Sequence, residues 1–478
     1  MARARAKKGT YLAQRKKAAQ SGHQKNERGS IVGTAQRFAE FASVIATLFR
    51  TKTRDASAQA RHYLQGLLSE ATRKNMERMG EAIPEAKQEN LQNFLSDSPW
   101  DATGVWRWVG QRADEHLGGQ ADSMLLIDES AHSKKGDKSV GVARQHNGRL
   151  GKTDNCQVGV YAALAVGPRA TLVGARLFLP TVWVEDPERC QKAGVPEAEI
   201  RARTKLDLAR ELVLEAVAHG LRFKWVGFDC FYGRDQGLLC WLEDQGHGVV
   251  ADVPALQLVW EQKPEVEQRP SLAAAGAQRV DKLAKQWAKS QSGTQVKLRV
   301  GENGPVRVKV WARQVWWWPR GESQVRRWWL VVREEPDGSF KYTFCNGPGN
   351  MSLKRLARLQ GQRHFIERSL EDGKSHLGMA QYQARKWLAW QHHMALVGLA
   401  QLFVLQERLK HRLKTPWLSA RDVVEMLDWY FQSQRTAHDV ESEIRKRHAR
   451  RAKLAAAAVR RAGKRKKPKK TQPKNLPK

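Results

Sequence analysis

Met124-Leu125-Leu126-Ile127-Asp128 is a short apolar run closed by a carboxylate. Four consecutive apolar residues predict a buried strand, and the aspartate then sits at its tip. The pattern recurs downstream, where Trp225-Val226-Gly227-Phe228 precedes Asp229. Around these two runs, residues 122 to 253 alternate between the periods of strand and helix. Strands are expected over 124–128, 157–164, 170–178, 225–229 and 248–253, with helices over 204–219 and 235–244. Such alternation predicts an α/β sheet. A single aspartate at a strand end is ordinarily a turn residue or a helix cap. Two of them, joined by a third carboxylate from a helix, can instead hold a pair of metal ions.

The third carboxylate is sought in Arg363-His364-Phe365-Ile366-Glu367-Arg368-Ser369-Leu370-Glu371-Asp372-Gly373-Lys374. On a helix turning ~100° per residue, Arg363, Glu367 and Lys374 fall within an arc of about 60°. One negative group between two positive ones suits a site that holds a metal ion and grips a phosphate beside it. The same spacing also describes an exposed helix face with ordinary ion pairs.

Several strings carry a resemblance to a known family. They are Ser139-Val140-Gly141-Val142-Ala143-Arg144-Gln145, Leu150-Gly151-Lys152 with Asn155-Cys156-Gln157-Val158, the run from Trp183 to Val195, Tyr63-Leu64-Gln65-Gly66-Leu67-Leu68, and Arg73-Lys74-Asn75. In these the chain, from about Phe38 to Leu405, resembles the DDE transposases of bacterial insertion-sequence family 701. The resemblance implies an RNase H-like core, whose order of three strands, helix, strand, helix, strand matches the one read above. It implies Asp128, Asp229 and Glu367 as the catalytic, metal-holding carboxylates. Two Mg²⁺ or Mn²⁺ ions roughly 4 Å apart would serve an in-line displacement, and hard oxygen donors suit these ions. The wider cut-and-paste group carries Tyr, Arg, Glu and Lys at spacings of three, four and seven. Arg363, Glu367 and Lys374 match, but the Tyr position holds Gln360. Arg363 and Lys374 are expected to contact DNA phosphates.

The implied activity is cleavage at transposon ends and strand transfer to target DNA. The implied partner is double-stranded DNA, both the terminal inverted repeats and the target, bound by a homodimer. Two other readings stay open: an RNase H-like nuclease without strand transfer, and a domesticated DNA-binding protein that does not transpose.

Composition agrees with a polyanionic partner. The chain has 83 Lys and Arg against 49 acidic residues, a formal charge of +34 and a pI near 10.2. Residues 1 to 28 hold nine Lys or Arg and one Glu, and residues 445 to 478 hold sixteen and no acid, so most of the excess is terminal. Such ends are expected to be disordered and to touch phosphates without reading sequence. Five scattered cysteines without a CxxC pair argue against a zinc module and a disulfide framework, and suit a reducing cytoplasm beside the nucleoid. The first thirty residues are basic without an apolar core, so no signal peptide is expected. Trp387 to Leu405 is apolar enough to consider as a membrane span, but Gln391, His392, His393 and Gln401 favour a buried helix, and no membrane partner is expected.

The expected organisation is a basic disordered arm (1–29), a helical DNA-binding domain (30–118), the first part of the core (119–255), a β-rich insertion (256–347), the second part of the core (348–405), a helical C-terminal region (406–444) and a basic tail (445–478). The insertion fills the 138 residues between Asp229 and Glu367, too many for a simple connection. Its strands are expected over 295–300, 306–314, 326–334 and 340–344, with Asp337-Gly338 as a hairpin turn. It also holds Trp311, Trp316, Trp317, Trp318, Trp328 and Trp329 among Arg313, Arg320, Arg326 and Arg327. Strand tryptophans are ordinarily packing residues. Trp316, Trp317 and Trp318, with Arg326 and Arg327, are the candidates for DNA contact, since three successive rings cannot all be buried on one side of a strand.

Overall fold

The protein is described from a computed structural model over residues 24–465, apart from 84, 149, 266–275, 302–303, 321, 414 and 416–417. The arm before residue 24 and the tail after residue 465 lie outside the described residues. The apolar run 124–127 opens strand β1 (Met124–Ser133), followed by β2 (Ala143–Asn147), β3 (Lys152–Val166) and β4 (Arg169–Leu177). β3 pairs antiparallel with β1 from Met124↔Ala165 to Ser133↔Cys156, and also with β2 and β4. Next come β5 (Trp225–Phe228) and β6 (Gly248–Asp252), which are parallel to β1 and to each other. Helix Lys205–Ala218 carries the chain from β4 towards β5. It begins in a capping box, with Thr204 Oγ1 accepting from the Asp207 N–H while Asp207 accepts from the Thr204 N–H.

The chain forms a mixed α/β fold on one large mixed sheet of ten strands, with β4-β3-β1-β5-β6 running consecutively across it. This order is consistent with the RNase H-like core implied by the sequence. The strands read in the interval between Asp229 and Glu367 are β9 (Thr294–Gly301), β10 (Gly304–Trp317), β11 (Arg326–Glu334) and β12 (Phe340–Cys345), preceded by the short pair β7 (Leu258–Val259) and β8 (Gln278–Arg279). They do not stand apart from the first sheet. β12 pairs antiparallel with β6, from Thr343↔Asp252 to Cys345↔Val250, so the meander β12-β11-β10-β9 extends the same sheet. Helix Val280–Ser290, absent from the sequence reading, packs its Val280, Leu283, Ala284 and Trp287 face into the core.

The apolar stretch from Trp387 forms helix Trp387–His411, whose residues are largely buried inside the protein. It packs against β4 and against helices Ser57–Leu67, Gln88–Ser96 and Ala102–Leu117 from the N-terminal segment. Phe403 meets Phe38 and Phe41 of helix Gln24–Ile45, and the same helix is fixed by charge. Buried Glu407 accepts from Arg37 Nε and Nη2, both at 2.6 Å, and from Thr34 Oγ1. Such a two-pronged pair satisfies both carboxylate oxygens where water is absent. The N-terminal helices therefore share one core with the sheet. At the other end, Ser419 and Asp422 form the capping box of helix Ala420–Ser433. Helix Ala437–Arg465 follows, so residues 445–465 of the basic tail are helical.

His392 and His393 are both structural. The His392 ring stacks on Trp100 at 3.7 Å, and His393 Nδ1 accepts from the Tyr63 hydroxyl at 2.8 Å while its Nε2 faces the Met379 carbonyl at 3.2 Å. Burial, with the nearby Lys134 charge, pushes His393 down to about 3 against the opposing backbone carbonyls. The unfolded chain therefore takes up this proton first, near its ordinary value of 6.5. The resulting stability is present above pH 6.5 and is lost as pH falls towards 3. Wild type should lose more stability than His393→Gln between neutral pH and pH 4, by on the order of 2–4 kcal/mol in urea titrations at each pH. Parallel curves for the two proteins would show that His393 is not held neutral.

Candidate active site

The parallel register builds the site. Leu126 of β1 lies opposite Gly227 of β5, and Phe228 of β5 lies opposite Ala251 of β6. Continued by one or two residues, this register sets Asp128 beside Asp229 and Asp252 at the ends of β5 and β6; Asp128 is not at a strand tip as expected, because β1 stays paired with β3 as far as Ser133. The carboxyl ends of parallel strands are where such sheets present their chemistry. Asp229 leaves the sheet as the cap of the short turn Cys230–Gly233, its Oδ1 accepting from the Phe231 N–H at 2.9 Å and the Tyr232 N–H at 3.3 Å. That turn lies so close to β6 that a Cβ on Gly233 would stand 2.0 Å from the Asp252 carbonyl oxygen. Asp128 accepts one hydrogen bond from the Glu129 N–H at 2.7 Å. Burial, then the Asp229 charge, raises Asp128 to about 7, with Arg363 opposing. A carboxylate whose ionisation is opposed by a neighbouring charge, as Asp128 is by Asp229, is relieved by a cation placed between the two.

Arg363 lies at the joint between helices Leu353–Gln362 and His364–His376, with φ −51° and ψ −35°. It therefore keeps helical dihedrals, and the expected common side of Arg363, Glu367 and Lys374 survives the break. The guanidinium reaches Asp252 Oδ2 with Nε at 3.1 Å and Glu367 Oε1 with Nη1 at 2.8 Å, and its charge also acts on Asp128. Burial opposes charge on Glu367, but the His364 hydrogen bond and the charges of Arg363, His364 and Lys341 together hold it below the ordinary carboxylate value. Lys374 Nζ donates to Ser130 Oγ at 3.0 Å, two residues along β1 from Asp128. The structure thus brings Asp128, Asp229, Glu367, Arg363 and Lys374 to one end of the sheet.

Asp252 belongs to this group and is not among the residues expected from sequence. Its signal is present there: Val249-Val250-Ala251-Asp252 is a third apolar run ending in an acid. Burial raises its carboxyl pKa, against the pull of Arg363 and a hydrogen bond from Thr343. Gln360, which stands in the Tyr position of the signature, is 4 % exposed and donates Nε2 to Thr343 Oγ1 at 2.7 Å. Gln360, Thr343, Asp252, Arg363 and Glu367 therefore form one continuous chain of polar contacts. The residue that departs from the signature supports the arginine from behind.

Among the described residues no three of His, Cys, Asp and Glu are gathered closely enough to enclose a metal ion. The donor chemistry nevertheless fits a hard divalent cation, because Asp128 and Asp229 offer only oxygen and the Asp229 charge opposes that of Asp128. Glu367 is engaged by Arg363 and His364 and is the member that must turn.

The tryptophan candidates separate. Trp317 is fully buried against Trp328 and Phe344, so its proposed DNA contact is corrected: it is a core residue, because alternation along β10 turns it inward. Trp316 and Trp318 face the other way and are half-buried. The Trp316 ring has Lys263 at 5.6 Å and Arg327 at 5.7 Å, while Trp318 Nε1 donates to the Glu322 carbonyl at 2.9 Å. Arg326 is also corrected. It pairs with Glu243 at 2.5 Å and Asp244 at 3.0 Å, clamping β11 to helix Gln236–Asp244, whereas Arg327 is exposed.

Residues 45–315 match the family model of the DDE superfamily endonucleases, a span that includes Asp128, Asp229 and Asp252. The chain belongs to the DDE superfamily of endonucleases. It is 25 % identical over 330 residues to the probable transposase for insertion sequence element IS701 of Microchaete diplosiphon, covering 68 % of this chain and 77 % of that protein. The DDE family match ends before Glu367, so that residue's place in the site rests on its helix and on its bond to Arg363.

Removing Asp252 leaves the half-buried Arg363 with one acidic partner in place of two. Asp252→Ala should cost about 2 kcal/mol in denaturant unfolding, below the range for fully buried pairs because Arg363 is partly solvated. A cost below about 0.5 kcal/mol would show the pair to be a surface contact.

Proposed function

We propose that this chain is a DNA transposase that cleaves at the ends of its element and joins the freed ends to target DNA. The observation that supports this best is Asp128, within β1, lying next to Asp229 at the end of the adjacent parallel strand β5 and feeling its charge, beside Glu367 in a DDE-family chain. In this reading Asp128, Asp229 and Glu367 hold two Mg²⁺ or Mn²⁺ ions. When bound, the ions activate the attacking oxygen and steady the leaving one. Asp229 is kept in place by the two N–H groups it caps, and Asp128 by the strand beneath it. Arg363 exchanges one carboxylate for the scissile phosphate, a geometry its planar fork allows, while Asp252 keeps its other side fixed. Lys374 supplies a second cation near the strand.

The finer layout is part of the proposal. The core is RNase H-like, the β9–β12 meander is an insertion that supports the DNA end, the helices of residues 30–118 contact the element's terminal repeat, and the basic arm and tail hold duplex without reading sequence. The protein works as a homodimer on its DNA, in the cytoplasm beside the nucleoid.

Asp128→Asn, Asp229→Asn and Glu367→Gln should each abolish Mg²⁺-dependent nicking of a plasmid carrying the element, while binding to an end duplex stays within about threefold, since affinity resides in phosphate contacts elsewhere. Undiminished nicking by Asp229→Asn would refute the assignment. In the insertion, Trp316→Ala should retain the wild-type melting temperature but lose roughly 1–3 kcal/mol of DNA affinity, whereas Trp317→Ala should cost about 3–5 kcal/mol of folding. Equal melting losses for the two would place Trp316 in the core.

A further inference from the structure

A cavity of about 900 Å³ opens beyond the far end of β1, where three segments meet: residues 72–75, 133–139 and 380–385. Its charged lining is Arg73, Lys134, Lys135, Lys138 and Arg385 against one acid, Asp137. Arg73, Lys135, Lys138 and Arg385 are exposed, and among the described residues no carboxylate pairs with any of the four. Elsewhere exposed cations such as Arg50, Arg112 and Lys386 do find acids. Four unpaired cations turned to one concavity repel each other, and an anion between them relieves the repulsion.

The walls are fixed in advance. Lys74 is buried between Arg73 and Asn75, and its Nζ donates to the carbonyls of Leu67 and His376, while its backbone N–H donates to Gln381 Oε1 at 2.7 Å. On the second wall, Lys134 Nζ donates to the Tyr382 carbonyl at 3.0 Å and lies 3.5 Å from that ring's centre. The Val140 N–H donates to the Arg385 carbonyl at 2.9 Å. Two lysines thus tie together the backbone segments that carry the four outer cations.

β1 links the cavity to the site, since it carries Asp128 in its middle and Ser133 of the cavity lining at its end. Ser133 lies five residue steps along β1 from Asp128, about 16 Å at the rise of a strand, which equals roughly five base-pair steps of duplex. Helix His364–His376 runs from Glu367 towards the segment 380–385 that forms one wall. We infer that this cavity is a clamp for the phosphate backbone of duplex DNA, holding the duplex about five base pairs from the phosphate that is cut. The inference rests on the transposase reading for the position of the cut, but its electrostatic content does not.

The test uses the full chain without metal and a mixed-sequence duplex several helical turns long. Arg73→Gln, Lys135→Gln, Lys138→Gln and Arg385→Gln combined should flatten the slope of log affinity against log salt by about 3 to 4, at roughly 0.9 for each phosphate that is no longer neutralised. The melting temperature should not move, since all four side chains are exposed. The pair Lys135→Gln/Lys138→Gln and the pair Arg73→Gln/Arg385→Gln should each give about half of that change. An unchanged slope in the fourfold variant overturns the clamp, as does a loss confined to single-stranded DNA. If the slope is unchanged while wild type cuts its element, the clamp fails and the transposase reading stands. If the slope flattens while wild type never cuts, the clamp stands and the reading of function fails.

Discussion

The parallel pairing of β5 between β1 and β6 is the constraint on which the rest of the site depends. In-register parallel strands place equivalent residues side by side, so three runs that each end in aspartate deliver three acids to one edge. That arrangement is electrostatically costly, and the cost is visible in Asp128, whose carboxyl is raised to about 7 by burial and by Asp229. Arg363 reduces it from the helix side by contacting Asp252 and Glu367. A sheet edge of this kind is stable as folded but electrostatically unfinished, which is the property a cation-dependent nuclease requires.

The support behind Arg363 gives Gln360 a physical role. A tyrosine at this position would bring a ring and a phenol, whereas Gln360 brings an amide that reaches Thr343 on β12. Because β12 pairs with β6, the same hydrogen-bonded strands that extend the sheet also carry Thr343 to Asp252. The meander is therefore joined to the site by its backbone ladder and by one side-chain relay. A disturbance in β12 reaches Arg363 through two bonds.

Basic charge is used in two ways in this chain. Arg37, Arg326 and Lys74 are partly or fully buried and bind acids or carbonyls, where they hold helices and strands together. Arg73, Lys135, Lys138 and Arg385 are exposed and face a cavity. Net charge alone does not distinguish these classes, since both add equally to +34. Only the geometry of their partners separates cations committed to folding from those left for a ligand.

Much of the fold is legible in sequence because strand and helix periods are local. The apolar runs ending at Asp128 and Asp229, the helix from 204 and the four meander strands are all readable from residue type and spacing. What sequence leaves open are relations between distant segments. It does not reveal that β12 pairs with β6, because ladder bonds are made by backbone groups common to every residue. Asp252 escapes notice for the same reason, since its run resembles the other two and gains meaning only beside Asp229. Trp317 and Arg326 look like DNA contacts in sequence and are not, because exposure depends on which face of β10 turns inward and on whether Glu243 lies within reach. The sequence by itself determined which residues could form strands, caps and acids. The tertiary structure decided which of them met, because meeting is a property of register and packing rather than of composition.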